Sequence, residues 1–130
     1  LTRDFRGLRV WLPLRVHGQE AFRETLEEKL ELARVLTDGI RGIEGLEIVY
    51  EPQLTVVPFA VVGVADPNAA SKALLDEINS SRRVFMSSTK VDGRFIIRPC
   101  ILSHRTHRDR IDEAIGIIGE ATAKVRARFA

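Results

Sequence analysis

The sequence predicts an α+β domain: a small, mostly antiparallel sheet of about four strands with helices packed on one face. Three observations predict it. Hydrophobic periodicity switches between a helical and a strand repeat in the order α, α, β, β, α, β, β, α. Asp92-Gly93 lies between two β-rich runs, and this dipeptide closes a two-residue hairpin because both turn positions need positive φ. The chain has 130 residues, 45% hydrophobic and 29% charged, which suits one domain burying roughly two-thirds of its unfolded surface.

Leu8, Trp11, Leu12 and Val16 recur at helical spacing, so residues 5–16 read as an amphipathic helix. Pro13 lacks an amide hydrogen and crowds the carbonyl four residues back, which predicts a kink there or two short turns. Gly18 breaks the chain. Residues 19–41 form the strongest early helix, with Phe22, Leu26, Leu30, Ala33 and Ile40 on its apolar face. Gly39, Gly42 and Gly45 mark its end. Residues 46–51 alternate as a strand that Pro52 terminates. Residues 55–64 read as a strand buried on both faces, with Pro58 pointing to an edge position or a bulge.

Asp66-Pro67 supplies a capping acceptor and then proline at the first helical position, so a helix starts there and buries Leu74, Leu75 and Ile78. Residues 84–89 and 94–102 read as the two strands of the hairpin. Thr106-His107-Arg108-Asp109 resembles a capping box, with Asp in place of Glu or Gln. Ile111, Ile115, Ile118, Val125 and Phe129 make one stripe along the last helix.

Several function classes are disfavoured. No apolar run approaches the roughly 20 residues of a membrane helix. Residues 1–15 carry four arginines and no uninterrupted apolar core, unlike a signal peptide. Cys100 is alone, so a reducing, cytoplasmic setting is expected. Lys and Arg total 20 against 18 Asp and Glu, a formal +2, and the pI near 9.0 is not a nucleic-acid footprint. The chain opens on Leu1 and its single methionine is Met86, so it is expected to be a piece of a longer protein.

Arg98 is the candidate binding residue. Strand alternation puts it with Arg94, Ile96, Cys100 and Leu102 on one face, and Phe95, Ile97, Pro99 and Ile101 on the other. A guanidinium amid apolar neighbours keeps its proton and needs an anion. That anion is either a ligand carboxylate or phosphate gripped by the fork, or an internal acidic residue. His104 and His107 are three apart near Cys100, but no second cluster supplies further ligands, so no metal site is expected. Arg105, Arg108 and Arg110, with Arg126 and Arg128 further on, are interleaved with Asp109, Asp112 and Glu113, which describes a solvated helix face. Lys29, Lys72 and Lys124 lie on expected helices and Lys90 beside the hairpin turn, none in an evident pocket. Asn79-Ser80-Ser81 matches a glycosylation sequon in a chain without a secretion signal. No phosphate-binding glycine loop or nucleophile elbow is present, and no catalytic residue is assigned.

The residues also carry a resemblance. Arg3-Asp4-Phe5-Arg6-Gly7-Leu8-Arg9-Val10-Trp11 resembles the opening of the C-terminal small domain of the group II pyridoxal-phosphate-dependent decarboxylases. His17-Gly18-Gln19-Glu20, Pro58-Phe59, Ile78-Asn79-Ser80, Phe95-Ile96-Ile97-Arg98-Pro99-Cys100-Ile101-Leu102 and Arg105-Thr106 follow in the family's order. Asp4, where the family usually has arginine, and Pro13 depart from the pattern. The family includes aromatic-L-amino-acid, tyrosine and histidine decarboxylases, with glutamate decarboxylase more distant. The resemblance implies that residues 1–130 are the small domain of a fold-type I homodimer. Its cofactor-bearing His-Lys pair would lie in a large domain absent from this chain.

It further implies that the parent holds pyridoxal 5'-phosphate and a small amino-acid substrate, while this segment alone binds no cofactor and is not catalytic. No nucleic-acid or membrane partner is implied. Arg98 falls on the strand arginine that, in glutamate decarboxylase relatives, looks toward the substrate carboxylate. The first helix should expose an apolar face around Trp11 where the large domain packs, favouring self-association of the isolated chain. The rival from another class is a stand-alone α+β module presenting Arg98 to an anionic metabolite.

Overall fold

The structure, a computed structural model, describes residues 5–129, so Arg3 and Asp4, which open the resembling stretch, lie outside the described residues. The elements are α1 (Leu8–Arg41), β1 (Leu46–Ile48), β2 (Phe59–Val61), α2 (Pro67–Ser80), β3 (Ser87–Val91), β4 (Arg94–Arg98) and α3 (Arg108–Phe129). The four strands form one antiparallel sheet in the order β1-β2-β4-β3. The expected α+β class and antiparallel sheet are found.

α1 is two helical segments joined at Gly18, whose φ of 80° and ψ of 163° are far from helical. The expected break is therefore at Gly18, whereas Pro13 keeps helical dihedrals and no pair of separate short turns forms there. Proline's fixed φ suits a helix, and the segment absorbs one missing hydrogen bond without leaving helical dihedrals. The expected apolar face of residues 19–41 is only half used. Leu32, Ala33, Leu36 and Ile40 enter the core, whereas Phe22 is partly exposed and Leu26 is 64% exposed. Burial starts at Lys29, so residues 8–27 form an arm that leaves the body of the domain. Gly39 is a packing position inside α1, not its end. A Cβ there would stand 2.4 Å from Ile115 Cδ1, so glycine lets α1 and α3 approach closely.

The core joins Leu32, Leu36 and Ile40 of α1 to Ala70, Leu74 and Ile78 of α2 and Ile111, Ile118 and Val125 of α3. All pack on Leu46, Phe59, Val61 and Ile97 of the sheet. The strands are shorter than the periodicity suggests. Phe59 pairs with Ile97, and the isolated bridge Val56–Cys100 continues that register. Val57 N still donates to the Pro99 carbonyl at 3.1 Å. Pro58 and Pro99 each lack a donor, so they interrupt the ladder without ending the pairing. β2 is an interior strand, which corrects the edge position that Pro58 suggested.

α2 starts as expected, with the Asp66 side chain accepting from Ala69 N at 3.0 Å and Pro67 at the first helical position. Asp92 (φ 50°) and Gly93 (φ 77°) close the β3–β4 hairpin between the Val91–Arg94 pair. The expected capping box is absent at α3. Its opening carbonyl belongs to His107, which accepts from Arg110 N and Ile111 N, and the Thr106 carbonyl is held by Lys29 instead.

Candidate functional site

The strand that carries Arg98 is fixed from several sides. Asn68 and Asn79, the only asparagines in the chain, clip the two ends of α2 to the hairpin. Asn68 donates to the Gly93 carbonyl at 3.0 Å and accepts from Phe95 N at 2.8 Å. Asn79 donates to the Met86 carbonyl at 3.0 Å and accepts from Met86 N at 2.9 Å. The amide of the Asn79 sequon thus completes the α2–β3 connection. Each pair of bonds imitates a backbone rung with a side chain. β4 is then paired on both edges, to β2 and β3.

Along β4, Ile97 points into the helix-covered core and Ile96 to the other face of the sheet. Ile96 is nevertheless 1% exposed, as is Ala60 on the neighbouring strand. Arg94 pairs with Glu47 from β1 on this same face. Arg98 closes the strand two residues beyond Ile96, exposed, with its backbone carbonyl accepting from Ser87 Oγ at 3.1 Å. Among the described residues its guanidinium has no acidic partner, so the internal salt bridge, one of the two sequence alternatives, is not formed. The site is a cationic fork at the end of a strand paired on both edges, on the sheet face opposite the helices. It suits a bidentate grip on a carboxylate arriving from outside the domain.

The other candidates are engaged elsewhere. Arg108 pairs with Asp112, Arg110 with Glu113 and Arg126 with Glu44, all at 2.9 Å. Arg83 shares Glu113, which holds that carboxyl below its ordinary range, first through Arg83 and then through Arg110. His104 and Cys100 are exposed, and among the described residues no group of three His, Cys, Asp or Glu is placed to hold a metal. Among them too, no helix is long and apolar enough to cross a membrane.

The sequence missed Lys29. It is 3% exposed, with Nζ 2.6 Å from Glu28 Oε2 and 2.7 Å from the Thr106 carbonyl. Glu28 Oε1 in turn lies 2.7 Å from His107 Nδ1. Helical periodicity places Lys29 on α1 but cannot show that the start of α3 folds over it. The Glu28 carboxyl is held below its ordinary 4.5, first by the hydrogen bond from His107 and then by Lys29. A carboxyl lowered by folding stabilises the fold fully above its unfolded value, and that stability is lost as pH falls through the lowered value. Glu28→Gln should therefore flatten the acid side of the stability curve. Urea midpoints measured down to about pH 3 check this, and a pH slope identical to the parent chain refutes it.

Residues 1–62 match the family model described as the pyridoxal-dependent decarboxylase conserved domain. The chain is 32% identical over 124 residues to phenylacetaldehyde synthase of Arabidopsis thaliana, covering 92% of this chain and 25% of that one. It is 33% identical over 143 residues to tyrosine decarboxylase of Oryza sativa subsp. japonica, covering 98% and 27%. Among solved structures, Catharanthus roseus tryptophan decarboxylase in complex with L-tryptophan superposes with a TM-score of 0.87 at 27% identity, over 95% of this chain and 26% of that one. The chain thus spans about a quarter of the length of the curated relatives it matches.

A covalently held pyridoxal cofactor needs a lysine in a cavity, an acceptor for its ring nitrogen and donors for its phosphate. The described residues do not fit it. Lys29 is buried in its own pairing, Lys124 is tied to Glu77 at 3.0 Å, and Lys72 and Lys90 are exposed. Sequence and fold nonetheless agree, over nearly the whole chain, with one segment of these relatives, and residues 1–62 match the pyridoxal-dependent decarboxylase conserved domain.

Proposed function

We propose that the full-length protein is a pyridoxal-phosphate-dependent amino-acid decarboxylase and that this segment is its C-terminal small domain. The observation that carries this reading is the match in sequence and fold over more than nine-tenths of the chain. The cofactor would be held by a preceding large domain. The segment would close one side of the active site and support a cytoplasmic homodimer. Arg98 would hold the substrate carboxylate, either the one to be lost or a distal acid group.

The arm supports the docking part of this reading. Leu8, Val10, Trp11, Leu12, Val16 and Leu26 are all between 45% and 67% exposed. An apolar surface of that kind is normally covered by protein. The large domain expected to precede it in the same chain is the proposed cover. The relatives are full-length enzymes, which gives no support to a stand-alone metabolite-binding module.

The test is to express the reading frame that extends upstream of Leu1. A few hundred codons containing a His-Lys pair, and a purified product that releases CO2 from an amino acid, support the proposal. The assay should measure amine and aldehyde separately, because one relative is a phenylacetaldehyde synthase. A full-length protein that binds pyridoxal phosphate but leaves every amino acid carboxylated refutes the activity.

A further inference from the structure

Lys29 is the one lysine of the chain that is buried, and neither the core nor Arg98 uses it. Its position is informative. Upstream of residue 28 no described residue is buried and only Pro13 is half-buried, and from Lys29 onward α1 enters the core. At that boundary the ammonium reaches the Thr106 carbonyl, 77 residues away in sequence, in the turn that opens α3. Glu28, on the same turn of α1, reaches His107 in the same α3 opening. Two bonds from consecutive residues thus fasten the last supported turn of α1 to two consecutive residues of another element.

A buried ammonium is costly. Even when paired, such a group often contributes less stability than an apolar side chain of the same size. What it supplies instead is a tie between elements, since these bonds are kept only while residues 28 and 29 of α1 face residues 106 and 107. No described side chain with a polar atom buried at this junction lacks a partner.

We propose that Lys29, with Glu28 and His107, is a positioning cluster that sets the direction in which the arm leaves the domain. Beyond this point residues 19–27 continue as an unsupported helix, so a small pivot at Lys29 moves the arm's far end by much more. The arm's use as a docking surface rests on the function proposed above. Its direction is measurable in the isolated chain, so failure of the cluster and failure of the enzyme reading are separable.

The chain has one tryptophan and one cysteine, which makes the measurement direct. In a Trp11→Phe, Phe22→Trp background, the donor stands on the unsupported helix and an acceptor dye on the exposed Cys100. Time-resolved energy transfer in dilute solution then gives a distance distribution. Lys29→Met, close in volume and apolar, should lose the single narrow distribution while thermal unfolding stays cooperative with a midpoint close to the parent's. A merely stabilising role predicts the reverse: a lowered midpoint with the distribution unchanged below it. Either an unchanged distribution in folded Lys29→Met, or a loss of stability without broadening, overturns the proposal. Should Lys29→Met not fold cooperatively, the exposed side of the cluster decides. The double variant Glu28→Gln, His107→Gln must then broaden the distribution, and an unchanged one overturns the proposal.

Discussion

Arg98→Ala in the full-length enzyme should lower kcat/KM by well over tenfold while leaving the fold intact. A charge-assisted hydrogen bond contributes about 1.5–3 kcal/mol net, and each 1.4 kcal/mol is a factor of ten. A bidentate grip makes two such bonds. The side chain is exposed at the end of β4 and pairs with no described acidic residue, so its removal orphans no internal partner. Loss of turnover could therefore not be ascribed to a broken salt bridge within the domain. Arg98→Lys keeps the charge but loses the planar fork, so it should recover only part of the loss. A rise in KM alone would mark Arg98 as a holder of a distal group, bound equally in ground and transition states. A fall in kcat would mark it as acting on the carboxylate that leaves. Steady-state kinetics on the cofactor-loaded, full-length variant decide this, and near-normal values in a folded protein would remove Arg98 from the site.

Much of this domain was legible where local chemistry decides local structure. Gly18, Asp66-Pro67 and Asp92-Gly93 each act through their own dihedrals or caps, and each does in space what it implies in sequence. Legibility ended where the deciding atoms lie far away along the chain. The periodicity of Phe22 and Leu26 reports an amphipathic helix but not whether anything covers its apolar face. Pro13 stays within helical dihedrals because its fixed φ suits a helix, so the one missing hydrogen bond does not end it. Lys29 read as a helix lysine outside any evident pocket because the carbonyl that holds it lies 77 residues downstream, and its other partner, Glu28, reaches His107, 79 residues on. Thr106 had the sequence of a cap, yet it turned its carbonyl to Lys29 and left the capping position to His107. Arg98 was legible as a chemical problem, a cation on an apolar strand. Its exposure, and its lack of an internal acid among the described residues, needed the fold.

Phe59→Ala should cost about 3–5 kcal/mol of stability, the ordinary range for deleting a buried aromatic side chain. Phe59 has no exposed surface and is the largest of the fully buried side chains. Its strand position pairs with Ile48 of β1 on one side and Ile97 of β4 on the other, so it joins both halves of the sheet. A small domain has only about 5–15 kcal/mol in total, and one carrying an uncovered apolar arm is expected toward the lower end. The variant should therefore unfold at far lower urea concentration, with a partly unfolded population already present in water at 37 °C. Phe59→Leu keeps most of the volume and should cost less than about 1.5 kcal/mol. The pair of variants separates core volume from strand pairing, because both keep the backbone amide and carbonyl of the rung. The connection to function is geometric. Phe59 buttresses Ile97, the residue next to Arg98, so in the full-length enzyme Phe59→Ala should weaken substrate handling below its unfolding midpoint as well as above it. If Phe59→Ala lost stability but kept full kcat/KM while still folded, the orientation of Arg98 would have to come from its β3 side, through Ser87, and not from the core.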